Sequence, residues 1–201
     1  MAILINKPNL NRFWEANTKM RNSNDISERH AEVSGWNVRE VTTTVDIERL
    51  SQFAGRIWRD HYRPIIGNAQ VEYMLANFQS PSGIARQCAA GYQYFWILEH
   101  DLPLAYFAWI TTAEDQSLQL SKLYVDRNHR RHGLGRHIIQ LAADYGLKHD
   151  LALLWLTVNR HNQTAIDFYL GNGFVNTEAL VQDIGGGFVM DDFKMIKQLT
   201  D

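Results

Sequence analysis

The residues best suited to chemistry lie in one run, Asp126-Arg127-Asn128-His129-Arg130-Arg131-His132-Gly133-Leu134-Gly135-Arg136. It follows an alternating apolar stretch and opens a segment of helical periodicity. The start of a helix presents N–H groups that have no partner within the helix, at the positive end of its dipole. Gly133 and Gly135 would let an anion approach the backbone with no Cβ in the way. Arg130, Arg131 and Arg136 would add charge-assisted hydrogen bonds to phosphate oxygens. The chemistry such a run could do is to grip a diphosphate.

Other readings of the same residues stay in view. A dinucleotide fingerprint needs a third glycine where Ile138 stands, and a nucleotide P-loop needs a Gly-Lys-Ser/Thr ending that is missing. The run could also be a solvated, arginine-rich turn. Nucleic-acid binding is disfavoured, because a cluster this short in a chain of net charge −2 would give weak, steeply salt-dependent affinity. His129, His132, His137, His149 and His161 show no metal-ligand spacing, and Cys88 is the only cysteine, so no metal is expected.

Further along stands Leu156-Thr157-Val158-Asn159-Arg160-His161-Asn162-Gln163-Thr164-Ala165-Ile166-Asp167-Phe168-Tyr169, followed by Gly173-Phe174. Taken with Arg130-x-x-Gly133-x-Gly135 after the run 120–125, this pair of motifs resembles the GNAT superfamily of N-acetyltransferases, over roughly residues 37–199. The tail from Asp183 through Gly185-Gly186-Gly187 to Asp191-Asp192 is similar to bacterial polyamine acetyltransferases, as is 120–125. The resemblance implies an α/β (α+β) fold: a mixed, mostly antiparallel central sheet with one splayed strand pair, flanked by helices. It implies acetyl-CoA as co-substrate. The cofactor-binding residues carried over are Leu123, Tyr124, Val125, Arg130, Arg131, His132, Gly133, Leu134, Gly135, Arg136, Asn162, Ala165, Phe168 and Tyr169. The pantetheine arm would pair with the backbone of Leu123 and Val125 in a wedge between strands 118–125 and 153–158.

The same resemblance implies direct attack by a primary amine of a small molecule, a polyamine being one candidate. Tyr169 would be the general acid, with core packing beside Phe168 as its alternative role. Asn162 would fix the cofactor, or serve only as a helix N-cap. Glu99, followed by His100, is the candidate base. Tyr73 and Glu72 would line the acceptor pocket, and Asp183, Asp191 and Asp192 would recognise a cationic acceptor. Cys88 lies outside the cradle. A protein that binds acyl-CoA as a signal without turnover would keep the same cradle and is the competing function. Related enzymes frequently pair, so a homodimer is a further expectation.

The elements that must position these residues read as β-α-α-α-β-β-β-α-β-α-β-β. Residues 37–44 predict a strand, and Asp46 caps a helix carrying Leu50, Phe53, Ala54, Ile57 and Trp58. Arg63-Pro64 and Gly67-Asn68 predict a break. Two helices follow, the second opened by Ser80-Pro81-Ser82. Residues 92–99 and 104–111 form a hairpin around the turn 100–103, and 118–125 is a strand alternating at Leu118, Leu120 and Lys122. A helix over 133–149 repeats at Leu134, Ile138, Leu141 and Tyr145. Residues 153–158 read as a strand buried on both faces, 162–170 as a helix, and 174–184 and 188–199 as a last hairpin around three glycines. Residues 1–35, with Phe13 and Trp14, read as an extension to a single domain of 36–201. Of the 201 residues 45% are hydrophobic and 21% charged, as in a soluble globular chain, and no run reaches membrane-spanning length. The expected location is the cytoplasm, with no membrane partner.

Overall fold

The computed structural model describes residues 35–112 and 114–199. The reading of 1–35 as an extension therefore lies outside the described residues, Gly35 excepted. The elements are β1 (Asn37–Glu40), α1 (Thr44–Ile66), α2 (Asn68–Phe78), α3 (Pro81–Ala89), β2 (Gln93–Glu99), β3 (Leu102–Thr112), β4 (Ser117–Val125), a 3-10 turn (Arg127–His129), α4 (Leu134–Lys148), β5 (Leu153–Asn159), α5 (Gln163–Leu170), β6 (Val175–Gly185) and β7 (Phe188–Gln198). This is the expected order.

The strands make one seven-stranded sheet in the order β1-β2-β3-β4-β5-β7-β6. Every neighbouring pair is antiparallel except β4 and β5. The central strands are covered on both faces, so alternation sorts their side chains into two cores. Phe95, Ile97, Phe107 and Trp109 face α4 and α5. Tyr94, Trp96, Leu98 and Tyr106 face α1, α2 and α3.

Several boundaries differ from the sequence reading, each for a local reason. β1 stops at Glu40, four residues short of the expected end, because Thr43 caps α1 by accepting the Asp46 amide; Asp46 lies in the first turn instead of capping. Pro64 does not break α1. It lies in the last turn, and Gly67, at φ 78°, ends the helix. The β2–β3 turn is only His100-Asp101, both left-handed, so Leu102 and Pro103 belong to β3. β5 buries a single face, with Leu154, Leu156 and Val158 inside and Thr157 exposed.

The largest departure is in β4. Lys122 pairs with Ala108 and Leu120 with Trp109, so Ser121 is an extra residue, a β-bulge. Before the bulge Leu118 and Leu120 enter the α4/α5 core; after it Leu123 and Val125 do. Lys122 and Tyr124 are thereby turned to the α1 side, with Ala108 and Tyr106 opposite them. The alternation expected at Leu118, Leu120 and Lys122 breaks at its third member.

Candidate cofactor and acceptor site

The splay follows from the bulge. β4 and β5 pair only at Ser117, Leu118 and Gln119, and from Ser121 onward β4 bends away. Past Gln119 the edge of β4 facing β5 is open. The direction of its backbone groups follows from the ladder on the other side. The Asp126 amide donates to the Leu104 carbonyl, so residues 126, 124 and 122 bond to β3. Leu123 and Val125, in between, aim their N–H and C=O groups into the gap. The Nε of Arg130 donates to the Val125 carbonyl at 3.2 Å.

The arginine run lies at the end of this edge. Arg130, Arg131, His132, Gly133 and Arg136 are exposed, whereas Leu134 is 2% exposed and anchors the turn in the core. Arg131, at φ 66°, and Gly133, at φ 91°, are both left-handed, a curl that gathers successive N–H groups on one side. The two glycines have different tasks. Gly133 is the left-handed N-cap of α4. At Gly135 a Cβ would lie 2.9 Å from Cζ of Phe168, so this glycine lets α5 close against α4. Ala165 and Phe168 pack on the same core.

Asn162 joins the two sides of the gap. It is 4% exposed, and its Oδ1 accepts from the Ala165 amide at 3.4 Å, capping α5. That leaves Nδ2 facing Nε2 of His61 on α1 at 3.1 Å, so the imidazole nitrogen is the acceptor and His61 is neutral. Burial, then the nearby Arg130 cation, lowers the His61 pKa. The next residue, Tyr62, hydrogen-bonds to Tyr124 and Asn162.

Three phenols converge here. Tyr169 and Tyr124 each interact with Tyr62, and burial foremost raises the pKa of all three. Trp58 lies against Tyr62 and Tyr124, and Tyr106 stacks on Tyr124 at 5.1 Å. The Tyr169 ring also contacts Phe168 and Phe174, so it packs in the core as well as facing the other phenols. Asp192 reaches the cluster from β7. Burial, offset in part by a hydrogen bond from Thr157, pushes its pKa up to about 6, and its charge is felt by Tyr62.

The structure separates other expected residues from this cluster. Glu99 pairs with Leu102 at the β2–β3 turn, two strands removed from β4. Asp191 points to the opposite face of β7 from Asp192 and forms an ion pair with Arg160 at 2.6 Å, the guanidinium lying over Phe193. Asp183 is exposed and accepts from the Gly185 amide within its own turn. Glu72 is held by Arg59 and Arg63, which lower its pKa to about 2. Tyr73 donates to the Ile184 carbonyl at 2.7 Å, and its ring fills the space a Cβ would need at Gly185 and Gly186. With Gln70 donating to the Val189 carbonyl, it clasps the β6–β7 turn to α2. Cys88 is half-buried on α3, away from the gap.

The sequence reading placed Trp58 on α1 but missed the polar groups that α1 brings to the site. His61 and Tyr62 lie outside both motifs, one turn beyond Ile57 and Trp58 on the same stripe of α1, where the periodicity marks packing and not chemistry. An open cleft beside them, of roughly 210 Å3, runs between Arg56, Ile57 and Asp60 of α1 and Asp126, Arg127, Asn128 and Arg130. Among the described residues no cluster of three metal-ligating side chains occurs, and no helix is long and apolar enough to cross a membrane.

Comparison with known proteins agrees with this geometry. A family model described as an acetyltransferase (GNAT) domain matches residues 63–194. An uncharacterized N-acetyltransferase in the pepI 3' region of Lactobacillus delbrueckii subsp. lactis is 28% identical over 60 residues, 30% of this chain. The match spans about a third (35%) of that curated relative. A PaiA N-acetyltransferase from Thermoplasma acidophilum, solved in complex with coenzyme A, superposes with a TM-score of 0.65 at 20% identity, covering 81% of this chain and 98% of its own. A GCN5-related N-acetyltransferase from Rhodopseudomonas palustris gives 0.66 at 13% identity, covering 80% and 94%. A spermidine N-acetyltransferase variant from Vibrio cholerae gives 0.59 at 17% identity, covering 83% and 95%. At these identities the superpositions speak for the fold. With the family model spanning most of the described sheet, and the splayed strands and glycine-started helix in place, the chain belongs to the GNAT acetyltransferases.

Proposed function

We propose that this chain transfers an acetyl group from acetyl-CoA to the primary amine of a small molecule, by direct attack with no acyl-enzyme. The observation that carries the reading is the open edge of β4, where Leu123 and Val125 turn their main-chain groups to the gap beside the α4 N-terminus, with no strand paired to them on that side. A chain carrying amides can add to such an edge as a further strand would. Arg130, Arg131 and Arg136 and the first amides of α4 would hold its phosphates. Acetyl-CoA would bring the activated thioester.

The protein's own groups then divide the work. The Val125 N–H would stabilise negative charge on the thioester oxygen, a contribution of ~3 kcal/mol for donors of this kind. Tyr169 holds its proton firmly, since burial raises its pKa. Complete proton loss to a thiolate, whose thiol titrates near ~8.5, would run uphill. Its contribution is hydrogen-bond donation to the departing sulfur. In place of Glu99, Asp192 is the carboxylate at the phenols, suited to hold an ammonium and take its proton.

Thiol release from acetyl-CoA, measured over a panel of primary amines that includes spermidine, tests the reading. Turnover with one or more amines is expected. Tight acetyl-CoA binding with no acceptor found would favour the signalling alternative.

A further inference from the structure

Lys122 takes no part in the transfer just described, yet it is placed on the acceptor side of the gap. The Ser121 bulge turns it to the same face as Tyr124, about 6.6 Å along the strand. It lies just beyond Gln119, where β5 leaves β4 and the edge opens. Its Nζ donates to the Ser121 Oγ at 2.7 Å and to the Ser121 carbonyl at 3.3 Å. An ammonium has three N–H groups, so one remains beyond these two neutral acceptors. Burial alone pushes its pKa down to about 8, with no carboxylate offsetting it. At neutral pH the amine is still mostly charged, and a partly buried cation on neutral partners is stabilised by an anion.

Asp192 stands across the same gap, on the β5–β7 wall and on the same face of the sheet. The acceptor side thus carries a cation on one wall and a carboxylate on the other. Resting on the acetyl-transfer reading above, we propose that the acceptor is an amine that also bears a carboxylate a few bonds away, with Lys122 binding that carboxylate and Asp192 the ammonium. A polyamine would bring a second positive charge to Lys122, and like charges repel.

The test compares butylamine, putrescine and gamma-aminobutyrate as acceptors for the full chain with saturating acetyl-CoA. They share a four-carbon spacing and differ in the far group. A charge-assisted hydrogen bond is worth about ten-fold or more, so kcat/KM for gamma-aminobutyrate is expected to exceed the other two by at least that factor. Lys122→Met removes the advantage by raising KM for gamma-aminobutyrate, with KM for butylamine and for acetyl-CoA within about two-fold of the parent. Lys122→Arg, which keeps the charge, retains a preference for the amino acid. Equal use of the three amines, a preference for putrescine, or a Lys122→Met variant that loses all acceptors alike overturns the assignment and leaves the transferase reading standing. No transfer to any amine overturns both.

Discussion

The side-chain amide of Asn162 meets the imidazole of His61 at 3.1 Å, joining the start of α5 to α1 across the mouth of the gap. One side chain thus caps a helix and sets the tautomer of a histidine on another. Asn162→Ala removes both bonds and is expected to destabilise the fold by about 1–2 kcal/mol. Asn162→Asp keeps the cap but offers His61 only an acceptor. The His61 pKa, lowered in the parent, should then rise above its ordinary value. Histidine proton resonances followed through a pH titration would show it; an unmoved His61 resonance would break the link.

Tyr169→Phe keeps the ring packed against Phe168 and Phe174 and removes only the hydroxyl. If the phenol donates to the leaving sulfur, kcat falls about 10–100-fold while acetyl-CoA affinity stays within two-fold. Steady-state kinetics with calorimetry of coenzyme A binding separates the two quantities. An unchanged kcat would leave Tyr169 as a packing residue only.

Asp192 gives a paired prediction with opposite signs. Its folded pKa, about 6, lies above the ordinary aspartate value of 3.8, so between those values the folded state binds more protons. Its burial therefore lowers stability as pH rises through that window, and the penalty is complete above about 6. Asp192→Asn should stabilise the protein at pH 7.5 by about 1–2 kcal/mol after allowing for partial exposure. The parent's kcat/KM should fall below about pH 6 as the carboxylate protonates, and Asp192→Asn should be slow at every pH. Thermal melts and pH–rate profiles would check the two halves. A variant as fast as the parent would remove Asp192 from the chemistry.

The two glycines of the arginine run should fail differently. Gly135→Ala drives a methyl into the Phe168 ring, at a cost of about 1–3 kcal/mol, and should spread α4 from α5. Gly133→Ala makes only an ordinary contact with Trp36, 3.8 Å away, but forces a side chain into a left-handed backbone, for about 1–2 kcal/mol. Both are expected to weaken coenzyme A binding several-fold, read by calorimetry, and a larger fall in melting temperature should mark the Gly135 variant.

How much of this was legible beforehand depends on distance along the chain. The element order could be read because each helix and strand carries its own periodicity, as Leu134, Ile138 and Leu141 do in α4. The two motifs could be read because each is continuous: Gly133 starts its helix and Asn162 caps its own. Contacts between distant segments left no such trace. Nothing near Tyr73 announces that its hydroxyl will bond Ile184, and nothing local separates Asp191, committed to Arg160, from Asp192, committed to the phenols. Glu99 looked suitable because it ends a strand, but which strand lies beside the gap is decided by the whole sheet. The bulge was missed because one inserted residue changes direction without changing composition.

That insertion has a wider meaning. Deleting Ser121 would restore strict alternation through β4 with Lys122 still opposite Ala108 and Leu123 still opposite Phe107, so the side chains would keep their faces and only the bend would be lost. The opening beside the second half of this strand is written in its length, and a single lost codon there would remove the bend that parts β4 from β5. Substitutions at Lys122 or Tyr124, by contrast, leave untouched the main chain proposed to meet the donor, so a lineage could change its diet of amines while keeping its source of acetyl.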